Sequence, residues 1–275
     1  MKMLWLILIS RARKVNNLRT LLMTAILSSL VLSATVQASI AIGLTRVIVT
    51  GADKSGSVQI LNDGLHPALL QLWVDNNIAE MDKPIEQINV PFVVDNPLFR
   101  LNGKTNKSIR IYYTGSANQL PSDRESMFWL NVLEVPPKAS SSQSSQNAVQ
   151  IAFRSRIKLF YRPAEIPISS EGVATKLSFT LVPKGDGSVL RVTNPTPFNV
   201  TFQTLAIGQS NTAPGGQSNT APGITIKLGA DDMVGPKSSV DSAPVGNNAL
   251  AKNMSVFFSI IDDFGSPIEG QQPLQ

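Results

Sequence analysis

Val149 to Pro163 reads VQIAFRSRIKLFYRP. Val149, Ile151 and Phe153 alternate with Gln150, Ala152 and Arg154, so a strand through this stretch carries three apolar side chains in a row on one face. The spacing predicts one unusually long strand, Val149 to Phe160, ended at Tyr161-Arg162-Pro163 because proline has no amide to give a ladder. On patterning alone, the three apolar residues belong to the core of their own domain.

Working outward, short β-branched and aromatic runs bounded by Gly, Pro, Asn and Asp recur on both sides, with no helical periodicity. Upstream runs are Leu44 to Thr50, Ser57 to Asn62, Ala68 to Asp75, Phe92 to Val94, Ser108 to Thr114 and Met127 to Val135. Downstream, a second series follows at Lys176 to Val182, Val189 to Asn194, Phe198 to Ile207, Ile224 to Leu228 and Met254 to Ile261. Each series suits one immunoglobulin-like sandwich of roughly 100 residues, which makes the chain all-β with domains at 39–162 and 163–275. The first carries 13 cations and 10 anions, the second 6 and 9. Opposite net signs favour a fixed angle between them, although small counts produce such a split too.

The leader sets the compartment. Lys2, Arg11, Arg13, Lys14 and Arg19 precede an apolar run from Leu21 to Leu32, then small residues ending Val36-Gln37-Ala38, the order of a secretory signal peptide spanning 1–38. The run is shorter than the roughly 20 residues of a spanning helix, so no stable membrane insertion is expected after cleavage. Without the leader's five cations, the remaining 19 face 19 anions, which gives no reason to expect a nucleic-acid partner.

Catalytic options are few. The 275 residues include no cysteine and one histidine, His66, placed in a turn at 63–67 with no clustered partner. No HExxH motif, nucleophile elbow or phosphate loop is present, so no enzyme activity, cofactor or metal is expected. Asp262 and Asp263 are a candidate acid/base pair, but neighbours on a strand point to opposite faces. Two perfect copies of GQSNTAPG, at 208–215 and 216–223, and SSSQSSQ at 140–146 read as solvated loops.

Leu120 to Pro136, LPSDRESMFWLNVLEVP, resembles the signature of the periplasmic chaperones of the chaperone/usher pilus pathway, the PapD-like family. Thr45-Arg46-Val47, SRIKLFYRP at 155–163, NPTPF at 194–198 and IDDFG at 261–265 match in family order across nearly the whole mature chain. The resemblance implies two immunoglobulin-like sandwiches at an angle and a periplasmic protein whose partners are pilus subunits and an outer-membrane usher. It also reverses the reading of the long strand: Val149, Ile151 and Phe153 become the donor residues that complete a subunit's sandwich in trans. Arg46 and Lys158 match the cations that hold the subunit's C-terminal carboxylate. Arg110, Glu125 and Asp263 match an interdomain ionic network, and Asn96-Pro97 a cis-proline site. The 11 residues from Pro137 to Asn147 resemble the short-loop subfamily serving rigid, rod-like pili. An exported pilus subunit or adhesin is the competing identity, but such a subunit would need an N-terminal donor segment and usually has one incomplete domain. Strict alternation sets Lys158 on the face opposite Phe153, so a twist or a bulge is needed for one strand to serve both sites.

Overall fold

The computed structural model describes residues 40–76, 83–116, 118–135, 151–167, 169–185, 187–209, 224–229, 231–245 and 254–275. The leader, the 137–147 loop, Val149 and residues 210–223 of the duplicated segment lie outside them. Among the described residues no helix is long and apolar enough to cross a membrane.

The first sandwich is built from β1 (Ile40–Ile42), β2 (Arg46–Thr50), β3 (Ser55–Asn62), β4 (Ala68–Asp75), β5 (Phe92–Val94), β6 (Leu98–Leu101), β7 (Thr105–Tyr113), β8 (Ser126–Val135) and β9 (Phe153–Arg162). Strict alternation gives β3 and β7 one buried and one solvated face: Val58, Ile60, Ile109 and Ile111 point in, Arg110 points out. The chain enters on one sheet, where β1 pairs antiparallel with β3, then crosses at 43–45 to the other, where β2 runs parallel to β9. The layers are therefore β1-β3-β7-β5 and β2-β9-β8-β4-β6, meeting at the tight β2–β3 turn. At that turn β3 passes close under β2, and a Cβ on Gly56 would stand 2.5 Å from the Ile48 carbonyl oxygen. Ile60, Leu70, Ile111, Leu130 and Leu159 fill the space between the layers, and Phe92, Tyr113, Phe128 and Tyr161 stack at one end.

A second core begins at Ile166. Here β10 (Ser178–Lys184), β11 (Gly187–Asn194) and β15 (Ser238–Val245) form one sheet. The facing sheet holds β12 (Val200–Gln209), β13 (Ile224–Thr225), β14 (Met233–Val234), β16 (Met254–Ile261) and β17 (Pro267–Pro273). Phe179, Phe202 and Phe258 interlock across the interior. Two immunoglobulin-like sandwiches thus share the chain.

Two expectations change. The strand predicted from Val149 begins at Phe153 among the described residues, because its partner β8 ends at Val135 and the last pair is Glu134 with Phe153. The Asn96-Pro97 bond is trans, and Asn96 makes the turn by adopting a φ of 51°.

Candidate functional site

The two edges of β9 are unlike. One pairs with β8 along its whole length, from Glu134–Phe153 to Ser126–Tyr161, without a register shift. The other pairs with β2 only from Lys158 onward, opposite Arg46. Among the described residues, Phe153 to Ile157 pair with no strand on that second edge. Among the described residues, Phe153–Ile157 is thus paired on one side only, and the C-terminal half of β9 lies between two strands.

Because the register is continuous, alternation is strict and no bulge turns the strand over. Phe153 and Ile157 share parity with Leu159, which is fully buried in the core. The core-facing side of β9 therefore runs on past the end of the sandwich, where Ile151 and Phe153 are 63% and 65% exposed. Arg154, Arg156 and Lys158 take the opposite face. One strand serves two sites by using its two faces.

Arg46 and Lys158 are paired neighbours on β2 and β9 at the point where the open edge ends. Arg46 is 5% exposed; its Nη1 donates to the Ile261 carbonyl at 2.8 Å, and its Nε is buried without a partner. Lys158 Nζ donates to Thr201 Oγ1 at 3.2 Å and to the Asp231 carbonyl at 3.3 Å. Burial lowers both pKa values; the Asp263, Glu125 and Asp262 charges pull Arg46 back up. For Lys158, Asp231 and Asp232 pull upward while Arg46 pushes further down. Two crowded, incompletely partnered cations form a site that a carboxylate would satisfy.

Arg162 is the opposite case. Its guanidinium takes Glu125 at 2.8 Å and both oxygens of Asp263 at 2.7 and 2.8 Å, and its Cζ lies 4.9 Å from the Phe198 ring centre. Glu125 also accepts the Asn199 amide at 2.8 Å, and Asp263 accepts the Ser170 hydroxyl at 2.8 Å. Burial pushes the Glu125 carboxyl up, with Arg162 and Asn199 opposing. Burial works in the same direction on Asp263, but there Arg162 and Ser170 win and hold it below its ordinary value. The network joins the first sandwich, through Glu125 and Arg162, to the second, through Asn199, Ser170 and Asp263.

Arg110 is not part of that network. It lies exposed on β7, in the other sheet, outward between the buried Ile109 and Ile111, and Arg162 supplies the cation. In the sequence Arg162 appears within the SRIKLFYRP match and as the last residue before Pro163, with no role attached. Asp262 and Asp263 separate as adjacency demands: Asp262 Oδ1 accepts the amides of Phe264 and Ser266 to close the β16–β17 turn, while Asp263 takes Arg162. In that turn Gly265 has φ 87° and packs so tightly on Thr45 that a Cβ would come within 2.6 Å of its hydroxyl. His66 is exposed, as expected of a loop residue.

Residues 39–167 match the family model of the pili and flagellar-assembly chaperone, PapD N-terminal domain, and residues 172–272 that of the pili assembly chaperone PapD, C-terminal domain. The chain is 39% identical over 243 residues to the Chaperone protein FimB/FhaD of Bordetella pertussis, covering 88% of this chain and 89% of that one. It is 35% identical over 252 residues to the Chaperone protein PmfD of Proteus mirabilis, covering 91% and 89%. The crystal structure of the YadV chaperone superposes with a TM-score of 0.66 at 35% identity, over 86% of this chain and 100% of that one. The SafB chaperone in complex with the SafA pilin of Salmonella enterica gives 0.63 at 27% identity, over 88% and 99%. With both domains matched in order along the described chain, this protein belongs to the PapD-like family of pilus-assembly chaperones.

Proposed function

We propose that the protein is a periplasmic chaperone that captures pilus subunits by lending them the open edge of β9, keeps them from polymerising early and passes them to an outer-membrane usher. Residues 1–38 serve as its export signal, and the domains divide at 162/163. The family is one of chaperones rather than enzymes, and neither catalysis nor a cofactor enters the mechanism.

The observation that carries this reading is where the open edge stops. An incoming strand pairing with Phe153 to Ile157 continues the line of β2 and meets the start of β2 at Arg46. It must end there. If it runs parallel to β9, as β2 does, its last residue is its C-terminus, and the terminal carboxylate arrives between Arg46 and Lys158. Two charge-assisted hydrogen bonds there are worth roughly 1.5–3 kcal/mol each and fix the strand's register. The five open residues span about 17 Å, and their ladder bonds add roughly 0.5–1.5 kcal/mol each. Ile151 and Phe153, with Val149 upstream, fill alternate pockets of the subunit. Ordering and association costs reduce the total to one that a strand from the next subunit displaces without nucleotide.

Co-expression with a fimbrial subunit tests the reading. A one-to-one complex is expected from the wild type and lost on Arg46→Ala or Lys158→Ala; an intact complex from both variants removes the carboxylate anchor.

A further inference from the structure

Arg154, Arg156 and Lys158 share the outward face of β9, and two of them are drawn away from the strand's open edge. Asp75, at the end of β4 and completely buried, lies two strands over. Its Oδ1 accepts Arg156 Nη2 at 2.5 Å and its Oδ2 accepts Arg154 Nη2 at 3.2 Å. Asn131 of β8, also completely buried, closes a ring: its Nδ2 donates to Asp75 at 2.8 Å and its Oδ1 accepts Arg154 Nε at 2.9 Å.

Indole rings floor this arrangement. Arg154 lies over Trp73 and Arg156 over Trp129, each at 4.7 Å, with Lys158 Nζ 5.9 Å from the Trp129 centroid. Asp75 pairs with Trp129, Trp129 with Lys158, and Lys158 with Arg46, so one row crosses four strands from the buried carboxylate to the cation pair.

These contacts matter because of where they fall. Among the described residues, the strand over Phe153–Ile157 pairs with one neighbour, β8, and that ladder ends at the Glu134–Phe153 pair. An edge segment near a strand end frays readily, and a frayed template must be ordered again at every capture. Two guanidiniums drawn across β8 to one buried carboxylate on β4 staple the segment flat.

We propose that Asp75 is a positioning residue for subunit capture, holding the open half of β9 in strand geometry through Arg154, Arg156 and Asn131. The inference rests on the capture reading above and adds to it a residue that never touches the subunit.

Backbone amide exchange on the free full-length protein tests it. In Asp75→Asn the amides of Phe153–Ile157 that point to β8 exchange about 10- to 100-fold faster, the loss expected for one or two charge-assisted hydrogen bonds. The amides of Leu70, Leu130 and Leu159, which a general loss of stability would accelerate too, keep their wild-type rates. Affinity for a refolded fimbrial subunit, by calorimetry, falls at least about tenfold. Combining Asp75→Asn with Arg156→Gln adds less than the two separate effects, since both remove the same link. Unchanged exchange over Phe153–Ile157 overturns the proposal, as does faster exchange with wild-type affinity. If Asp75→Asn does not fold, Arg154→Gln, at a partly exposed side chain, carries the same measurements and the same two refutations. A wild type that fails to bind any subunit counts against the capture reading itself; the exchange comparison needs no subunit and judges Asp75 separately.

Discussion

Replacing Ile151 and Phe153 together by alanine separates binding from folding. About two-thirds of each side chain is exposed in the free protein, at 63% and 65%, so neither supports the chaperone's own core. Complete burial of such a side chain is worth roughly 1.5–3 kcal/mol, so the portion still to be buried is worth about 1–2 kcal/mol at each position. The double variant should then bind a subunit about 2–4 kcal/mol more weakly, or about 30- to 700-fold at 1.4 kcal/mol per decade. Its own stability should stay within about 0.5 kcal/mol of wild type, as for exposed positions generally. Calorimetric titration with a refolded fimbrial subunit reads the first quantity and urea unfolding of the free chaperone the second. An affinity within threefold of wild type refutes the donor role. A stability loss of several kcal/mol refutes the assignment in another way, by showing that these side chains fill their own domain.

Other substitutions probe the junction and the turns. Arg162→Ala leaves the buried Glu125 and the partly buried Asp263 without the cation they share, and should cost about 3–5 kcal/mol in urea unfolding. Acid should weaken the same junction: the depressed Asp263 contributes stability that is fully present above its unfolded value of about 3.9 and lost as pH falls through its folded value. Asp263→Asn should flatten that acid limb. Glu125, raised by burial, has the opposite sign, contributing stability that disappears as pH rises through its folded value, so the two limbs can be told apart by thermal melts across pH. Gly265→Ala forces a side chain into left-handed backbone and against Thr45, and should lower the melting temperature, whereas alanine at Gly172, also left-handed but with nothing near its Cβ, should cost less.

Much of the fold was legible because strand alternation is a property of the residues themselves. Ala68 to Asp75, Phe92 to Val94 and Met254 to Ile261 were bounded to the residue. Strands whose existence depends on a partner were not. Ser238–Val245 and Pro267–Pro273 are polar or proline-flanked and poor in β-branched residues, and they extend because β11 and β16 offer them a ladder. For the same reason β9 starts where β8 stops rather than where its apolar alternation does.

The site divides along similar lines. Arg46 and Lys158 were found by their motifs, and the structure makes them cross-strand neighbours. Arg110 and Arg162 are equally basic on paper, and only the assignment of β7 to the far sheet excludes the first. Asp75 was hidden because its partners lie roughly 80 residues away in sequence. The one trace of it was the shared parity of Arg154, Arg156 and Lys158.

A crystal structure of the chaperone bound to a fimbrial subunit tests the central claim most directly. The account predicts a subunit strand parallel to β9 along Phe153–Ile157, its terminal carboxylate within hydrogen-bond distance of Arg46 and Lys158, and Ile151 and Phe153 buried in the subunit. A subunit seated on another surface, with that edge of β9 still open or covered by the chaperone's own chain, would contradict it.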